Sequence, residues 1–338
     1  SGMDSKTDKM SLWAGNILLP LRLVTGWTYF SAFWRRLIIE YKLDPEAAGY
    51  VGEKFNHFLP NALFIKPLIE YFVSNPEVLW WKLLIFTLVE GVVGLALMLG
   101  FMTRFAGLAV SGLALGILLG AGWLGTTCLD EWQIGILGVA AGLAFFFGGG
   151  GRYSIDYTLR GKKMGPLARF ACTTDNTVSE RFGRIVFITG FAAFALALGT
   201  NQYFHGGVWG TLHNKSVRPD FEITAAALDE GTVSAEFMRV EGPDVYGSFA
   251  VEFNVLDGSG EPVASWGPEY LAAIPASDIR NAYVAKVKPG ARSLVFPVGA
   301  RARVSFRDPS LDALPAGSYE IELVDVSGLS WRAPLNIE

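Results

Sequence analysis

Long apolar runs separated by short polar stretches occupy the first 205 residues of the chain, and a different pattern follows them. An α-helix needs about 20 apolar residues to cross a hydrocarbon core. Five runs have about this length and are predicted to be transmembrane helices, at 12–34, 78–100, 105–124, 132–149 and 185–204. The first four predict a four-helix bundle, to which the last run adds a fifth transmembrane helix.

The distribution of Lys and Arg predicts the orientation of these helices, because short cytoplasmic loops are enriched in both residues. The connection 150–184 is the densest in positive charge, with Arg152, Arg160, Lys162, Lys163, Arg169, Arg181 and Arg184. We therefore expect this connection, and the turn 101–104 with Arg104, to lie in the cytoplasm. The prediction is a multi-pass protein of the bacterial inner (cytoplasmic) membrane, with a cytoplasmic N-terminus. The loop 35–77 and the chain after residue 204 are then extracytoplasmic.

The stretch NHFLPNALFIKPLIEYFV, residues 56–73, is amphipathic. Amphipathic helices lie in the plane of a membrane interface, with the apolar side toward the acyl chains. We therefore expect this part of the loop to lie along the membrane surface.

From Val217 onward, hydrophobic and polar residues alternate with a period of two. The clearest of these segments are TVSAEFMRV, SFAVEFNVLDGSG, ARSLVFPVG, ARARVSF, SYEIELVDVSG and LSWRAPLNIE. Short strands at this spacing, with turn residues between them, are typical of an all-β sandwich. A length of about 120 residues suits an immunoglobulin-like fold.

The predicted fold is therefore a membrane all-α bundle followed by an all-β immunoglobulin-like sandwich. The predicted boundaries are a four-helix transmembrane domain at 1–150, a basic cytoplasmic linker at 151–184, a fifth transmembrane helix at 185–204 and the sandwich at 205–338.

Composition narrows the functional classes. Of 338 residues, 51% are hydrophobic and 18% are charged, which is too apolar for a soluble protein of this length, and the net charge of −4 comes without the basic stripe that nucleic acid requires. No G-x-G-x-x-G motif stands between a strand and a helix, and no C-x-x-C-H motif is present. His205 and His213 lack the third ligand of a usual catalytic metal site. We expect no flavin, haem or metal.

Two charged residues fall inside predicted spans, Arg22 in the first and Glu90 in the second. A charge at the bilayer centre costs about 2.5–3.5 kcal/mol on the lenient insertion scale, so each needs a partner or a polar cavity. Because the two spans run antiparallel, their midpoints share a depth. This predicts an Arg22–Glu90 pair that lines a pocket, with the backbone opened locally at Pro20. The alternative is a buried pair that only fixes helix register.

The hairpin GWLGTTCLDEWQIG, residues 122–135, carries more chemistry than a turn requires. Cys128 is a single thiol on the oxidising side, since Cys172 is predicted to lie across the membrane. The start of the next helix favours a thiolate, whereas Asp130 and Glu131 oppose it by repulsion. Cys128 is therefore either a reactive thiol or part of a simple turn in which Asp130 caps the helix.

Trp123 and Trp132 flank this hairpin. Tryptophan is enriched at membrane–water interfaces, so both are predicted first as interfacial anchors. The alternative is that they form the wall of a site for a planar quinone.

Several motifs together resemble the DoxX/DoxD membrane family. They are Arg22 in the first span, VEGVVGLALMLGFMTRFAGL in the second span and its turn, and GGGGRYSIDYTL after the fourth span. The segment HGGVWGTLHNKSVRP, after the fifth span, resembles the start of DoxA. DoxD and DoxA are the two parts of thiosulfate:quinone oxidoreductase in that family. The chain thus resembles a DoxD–DoxA fusion over nearly its whole length.

The resemblance implies that two thiosulfates are joined into tetrathionate and that two electrons pass to a membrane quinone of the ubiquinone or menaquinone type. Thiosulfate is a dianion and needs cationic donors at the outer surface. The candidates for this role are Arg22, His205, His213, Lys215 and Arg218.

The quinone needs an apolar slot in the bundle and two protons. Glu90, Asp130 and Glu131 are candidate proton relays. Cys128 is the candidate to hold a sulfur adduct that a second thiosulfate attacks. Direct electron transfer without a covalent stage is the alternative.

Two other functions fit the sequence. One is a non-catalytic scaffold or accessory subunit of an oxidase or export complex, whose sandwich binds a protein partner. The other is a quinone-coupled oxidant that uses Cys128 on thiols or persulfides. In every case the lipid bilayer is a partner, and the sequence allows a homo-oligomer.

Overall fold

The computed structural model of the protein describes residues 12–123, 130–175, 179–212, 218–243 and 248–337. The chain divides into two compact units. The helical unit comprises Ser1–Ala47 and Trp81–His213, and the sandwich unit comprises Ala48–Trp80 and Asn214–Glu338. The boundaries predicted from the sequence do not anticipate that Ala48–Trp80 joins the C-terminal unit.

In chain order the α-helices are α1 (Trp13–Ile17), α2 (Leu19–Phe33), α3 (Val51–His57), α4 (Lys66–Ser74), α5 (Pro76–Leu99), α6 (Thr103–Ala121), α7 (Asp130–Gly148), α8 (Ile155–Thr158), α9 (Pro166–Ala171), α10 (Glu180–Phe204) and α11 (Pro268–Ala272). A π-helical turn, Trp34–Ile39, continues α2.

Among the residues that the structure describes, four helices are long and apolar enough to cross a membrane: α5, α6, the Glu131–Gly148 part of α7, and α10. They agree with four of the five predicted spans. The first predicted span is also helical, but it is interrupted at Leu18 between α1 and α2. Pro20 follows directly and has no N–H to continue the helical hydrogen bonds of α1. The chain is a multi-pass membrane protein.

The helical unit has a four-helix core. Its buried apolar side chains come from α2, α5, α6 and α7, and are Tyr29, Leu97, Ala106, Val110, Ala141 and Phe145. Glycine lets these helices approach closely. A Cβ atom on Gly94 would lie 2.6 Å from the carbonyl oxygen of Gly26, and one on Gly142 would lie 2.4 Å from that of Gly107. The predicted four-helix bundle is confirmed.

The strands are β1 (Asp220–Asp229), β2 (Thr232–Glu241), β3 (Ser248–Leu256), β4 (Pro262–Trp266), β5 (Ile279–Asn281), β6 (Lys288–Pro289), β7 (Leu294–Phe296), β8 (Arg301–Arg307), β9 (Gly317–Asp325) and β10 (Ser330–Ile337). One antiparallel sheet has the order β1-β2-β8-β5. The other has the order β10-β9-β3-β7-β6, with β4 also paired to β3. The six segments predicted from the sequence correspond to β2, β3, β7, β8, β9 and β10.

The two sheets pack face to face around aromatic side chains. Phe237 of β2 and Phe253 of β3 have ring centroids 5.1 Å apart, and Phe253 and Phe306 of β8 have theirs 4.5 Å apart. These three side chains are fully buried. The predicted all-β sandwich is confirmed.

The amphipathic stretch around α4 has two apolar sides. Ile69 and Val73 are buried within the sandwich unit, whereas Phe64 is 86% exposed and Leu68 and Tyr71 are also exposed. The expected position along a membrane surface concerns the exposed side and stays a prediction. The amphipathic pattern does not indicate the surface against which Ile69 and Val73 pack.

Candidate functional site

Arg22 is almost completely buried, and it is held by backbone carbonyls. Its Nη1 donates to the carbonyl of Gly150 at 2.5 Å and its Nη2 to that of Tyr153 at 2.6 Å. The residue is 1% exposed. Glu90 pairs instead with Arg36. The predicted Arg22–Glu90 pair is therefore wrong.

The register of α2 against α5 explains the error. A Cβ on Gly100, just beyond the end of α5, would lie 2.8 Å from Arg22 Nη1, so Arg22 is at the level of that helix end. Glu90 is ten residues earlier on α5, which is about 15 Å at 1.5 Å per residue. The sequence prediction placed Arg22 at mid-span because it did not anticipate that the helical segment runs on to Ile39.

Asp156 organises the same end of the bundle. Its carboxylate accepts hydrogen bonds from Met102 N at 2.7 Å, Thr103 N at 2.9 Å and Thr103 Oγ1 at 2.7 Å. It thereby satisfies backbone N–H groups at the start of α6 that have no partner within the helix. Asp156 is 1% exposed, and it belongs to the motif GGGGRYSIDYTL. We call Arg22, Asp156 and the residues that bond them the polar helix end.

Arg104 ties the polar helix end to the chain after α9. It donates to the carbonyls of Phe146 at 2.7 Å, Phe147 at 3.1 Å and Thr173 at 2.9 Å. Although Arg104 lies in the predicted turn 101–104, at the end of a span, the residue is only 6% exposed. At this end of the bundle, the guanidinium groups of Arg22 and Arg104 donate to backbone carbonyls and thereby hold helix ends together.

Cys172 lies at this end of the bundle, where it is buried. Burial, together with the nearby charge of Asp156 and a hydrogen bond to it, raises the pKa of the Cys172 thiol to about 11. The thiol is therefore neutral at physiological pH.

A second buried charge is held differently. Arg36, on the π-helical turn, donates from Nη1 to Glu90 Oε2 at 2.5 Å and to Thr87 Oγ1 at 3.0 Å. Glu90 and Thr87 are 3% and 0% exposed, and both belong to the spanning helix α5. We call Arg36, Thr87 and Glu90 the mid-bundle cluster.

Further charge surrounds the mid-bundle cluster. Lys82 and Arg35 are close enough to act on Glu90 electrostatically, so three cations face one carboxylate. Tyr29 also lies near Glu90. Its hydroxyl is buried and has no hydrogen-bond partner among the described residues. In an apolar bundle a buried donor without a partner is costly, and such a group is available to a ligand.

The sequence prediction missed Arg36, Thr87, Tyr29 and Lys82 as members of a site. It assigned Arg36 to the extracytoplasmic loop 35–77. The available signal was the pair Arg35–Arg36 inside the otherwise apolar stretch FWRRLII, which extends the first helical segment beyond residue 34.

The third polar site lies where α7 and α10 meet the hairpin. His205 Nε2 lies 2.9 Å from the carbonyl of Gly122, and Trp132 Nε1 donates to Thr200 Oγ1 at 2.9 Å. The rings of Trp132 and His205 are edge to face, with centroids 6.4 Å apart. Two predicted residues are therefore brought together here. We call His205, Trp132 and Thr200 the hairpin cluster.

Trp123 follows Gly122 and is 1% exposed. A simple interfacial anchor would be more exposed than this. Its indole Nε1 is buried and has no hydrogen-bond partner within the described part of the chain. Glu131 is partly buried at the start of α7.

Several predicted site residues are not part of this geometry. Cys128, His213 and Lys215, and the side chain of Asp130, lie outside the described residues. Arg218 is exposed just before β1. Among the described residues, no group of three or more His, Cys, Asp or Glu is placed to hold a metal ion.

The sandwich unit contains a cavity of about 250 Å³ between α4 and the sheet β1-β2-β8. Its charged lining residues are Lys66, Glu70, Asp220, Glu222, Glu241 and Arg301. Carboxylates outnumber cations, so the cavity is unsuited to a dianion. Tyr283 donates to Glu70 Oε1 at 2.9 Å in its wall. Burial and this hydrogen bond raise the pKa of the Tyr283 hydroxyl to about 12, so it remains a donor.

Two comparisons with known families match most of the chain. Residues 17–170 match a family model described as TQO small subunit DoxD. Residues 204–334 match one described as TQO small subunit DoxA. The first match covers the four-helix core, and the second covers the sandwich. The order and position of the two regions are those predicted from the sequence motifs.

Proposed function

Since this chain belongs to the DoxD and DoxA families, which it joins in one polypeptide, we propose that it is a membrane thiosulfate:quinone oxidoreductase. Its function is related to that enzyme by family. In the proposed reaction two thiosulfate dianions become one tetrathionate dianion and release two electrons. One quinone takes up these two electrons and two protons to become the quinol. The two family matches, side by side in one chain, carry this proposal.

The mid-bundle cluster supports the acceptor half of the reaction. A quinone headgroup needs donors for its carbonyl oxygens and a source of protons in an apolar environment. The unpartnered Tyr29 hydroxyl is such a donor, and Glu90 is a carboxylate that can carry a proton within the span. Arg36 orients Glu90 through their hydrogen bond. We assign proton transfer to Glu90 and headgroup binding to Tyr29.

The hairpin cluster supports the donor half. Thiosulfate is too polar for the bundle interior, so it should react at a bundle end. His205 and Trp132 meet beside the hairpin that carries Cys128. Arg22 faces carbonyls at the polar helix end, so we no longer assign it to the anion. His213, Lys215 and Arg218 remain proposed anion-binding residues near the chain that follows α10.

Cys128 provides a covalent route with balanced steps. In the first step the Cys128 thiolate and one thiosulfate form a sulfur–sulfur bond and release two electrons. In the second step the sulfane sulfur of another thiosulfate attacks the adduct sulfur that is bonded to Cys128 Sγ. The Sγ–S bond breaks, so tetrathionate leaves and the Cys128 thiolate returns. Glu131, at the start of α7, is the proposed proton relay on this side, together with Asp130.

The test is a turnover assay with the purified, lipid-supplied protein. We expect thiosulfate-dependent reduction of a soluble quinone analogue, with one tetrathionate formed for each quinol. Absence of activity in the intact protein would support the scaffold function instead. Activity with thiols or persulfides and none with thiosulfate would support the thiol-oxidant function.

A variant at Cys128 tests the covalent route. Cys128→Ser should abolish turnover and leave the melting temperature unchanged, because serine cannot form the adduct. The matched control is Cys172→Ser, which removes the other thiol, buried beside Asp156, and should keep turnover. Near-normal rates in Cys128→Ser would favour direct electron transfer.

A further inference from the structure

Residues 48–80 come from the DoxD-like part of the sequence, yet they bond to the DoxA-like sandwich. The side chain of Asn56 in α3 donates to the carbonyl of Gly299 at 2.9 Å and accepts from the amide of Ala285 at 3.0 Å. Asn56 is fully buried. A buried side-chain amide that satisfies two backbone groups of another segment fixes the position of that segment.

Other hydrogen bonds extend this contact along both segments. Asn61 Nδ2 donates to the carbonyl of Val240 in β2 at 2.9 Å. The amide of Val284 donates to the carbonyl of Val73 in α4 at 3.2 Å. Two of the sandwich amides in this contact, those of Val284 and Ala285, therefore have their acceptors in residues 48–80.

Gly299 adds steric specificity. A Cβ atom at this position would lie 2.2 Å from the backbone oxygen of Asn56 and 3.0 Å from its Nδ2. Gly299 also has a φ of +79°, which other residues rarely adopt. The two backbones thus approach more closely than a side chain would permit.

Apolar burial accompanies these polar contacts. Leu59 is 1% exposed, Ile69 is 1% and Val73 is 0% exposed. Burying each such side chain contributes favourably to the association of the two segments.

We propose that Ala48–Trp80 is a docking segment that holds the sandwich by its own non-covalent contacts, independently of the covalent connection through residues 213–217. The sandwich formed by Asn214–Glu338 is incomplete without this segment, and the segment is the surface through which the two family regions stay associated. This inference does not depend on the proposed enzymatic reaction.

The test cuts the connection in the full-length protein. A protease site is inserted between Lys215 and Ser216, which lie outside the described residues, and the purified protein is cleaved in detergent. We expect the sandwich fragment to co-elute with the helical fragment in size-exclusion chromatography. Separation of the fragments in the wild-type sequence would overturn the proposal.

Gly299→Ala supplies the disrupting variant, and Gly328→Ala is its matched control. Both glycines have a similar positive φ, +79° and +85°, but a Cβ on Gly328 would meet nothing within 4 Å. Overpacking at Gly299 should raise the dissociation constant of the cleaved fragments about tenfold or more. Gly328→Ala should elute like the cleaved wild type. Equal association in both variants would overturn the proposal.

A second pair of variants does not depend on backbone strain. Asn56→Asp keeps the size of the side chain but replaces the donor to Gly299 by an oxygen, so the cleaved fragments should separate more readily. Asn75→Asp is the control, because Asn75 is only partly buried and its side chain donates within its own segment, to Tyr71.

Hydrogen exchange shows whether a variant has merely unfolded. In Gly299→Ala and Asn56→Asp, the amides of Val284 and Ala285 should exchange faster, whereas those of Phe253 in the sandwich core should stay protected. Loss of protection at Phe253 as well would mean that the sandwich does not form without the segment. Unchanged protection at Val284 and Ala285 would contradict the docking role.

Discussion

The polar helix end and the mid-bundle cluster each bury an arginine of the first helical segment, but the two arginines bond to different oxygens. Arg22 bonds to the carbonyls of Gly150 and Tyr153, which cannot exchange a proton. Arg36 bonds to the carboxylate of Glu90, which can. The comparison teaches that a buried charge in a membrane helix indicates a function only once its partner is known. The polar helix end is built for stability, and the mid-bundle cluster has the groups for chemistry.

The largest effect is expected when Arg22 is replaced. Arg22→Met leaves the buried carbonyls of Gly150 and Tyr153 without their donor, and each buried acceptor left without a partner costs about 1–3 kcal/mol. We expect a large fall in the melting temperature of the detergent-solubilised protein, with little folded material recovered. Arg22→Lys keeps the charge but donates to the carbonyls with poorer geometry. Its melting temperature should therefore lie between those of Arg22→Met and the wild type.

The control for Arg22→Met is Arg152→Met, which removes a positive charge from an exposed residue. Arg152 lies between Gly150 and Tyr153, whose carbonyls Arg22 binds. It should melt close to the wild type. If Arg22→Met instead melted normally but lost turnover, Arg22 would have the chemical role that the sequence first suggested.

The next largest effect is expected at Glu90. Glu90→Gln keeps the shape and an oxygen that can accept from Arg36, but it removes the group that carries a proton. Positioned acids and bases contribute at least about 100-fold, so quinone reduction should fall by about that factor. This is about 2.7 kcal/mol of transition-state free energy. Because Glu90→Gln also removes the charged partner of Arg36, turnover is compared per amount of folded protein, well below the melting temperature of the variant.

Thr87→Val separates positioning from proton transfer. It removes the other hydrogen-bond acceptor of Arg36 without touching the carboxylate, so its loss of turnover should be several times smaller than that of Glu90→Gln. A Glu90→Gln variant with the wild-type rate would remove the distinction between the two regions and leave both as structural.

The contrast also shows what the sequence could predict. Hydropathy and the period-two alternation gave the spanning helices and six strands, because those patterns depend on local burial. The partners of Arg22 and Glu90 depend on the register of α2 against α5. That register depends on the helix break at Leu18 and on the π-helical turn after α2. The length of an apolar run in the sequence indicates neither of these features.

The contact between residues 48–80 and the sandwich could not be predicted from the sequence for a related reason. Its amphipathic pattern shows that one side is buried, but it does not identify the covering surface. Asn56 and Gly299 are far apart in the chain, and neither stands in a recognisable motif. The family motifs, in contrast, identified the two regions correctly, although they did not indicate that GGGGRYSIDYTL serves to hold Arg22 and the start of α6.

The smallest effect is expected at Cys172, which belongs to the polar helix end. Burial and Asp156 raise the pKa of its thiol to about 11, from 9.0. In the Cys128→Ser background, Cys172 should react with a maleimide very slowly at pH 8 while the protein is folded, and quickly after denaturation.

Because the pKa of the Cys172 thiol is raised in the folded protein, the thiol's contribution to stability is complete below about pH 9. It declines as the pH rises toward 11, since only the unfolded chain ionises in that range. The melting temperature of Cys172→Ser should therefore fall less between pH 9 and 11 than that of the wild type. Rapid labelling of the folded protein at pH 8 would instead mean that this end of the bundle opens, and that it is not the static counterpart of the mid-bundle cluster.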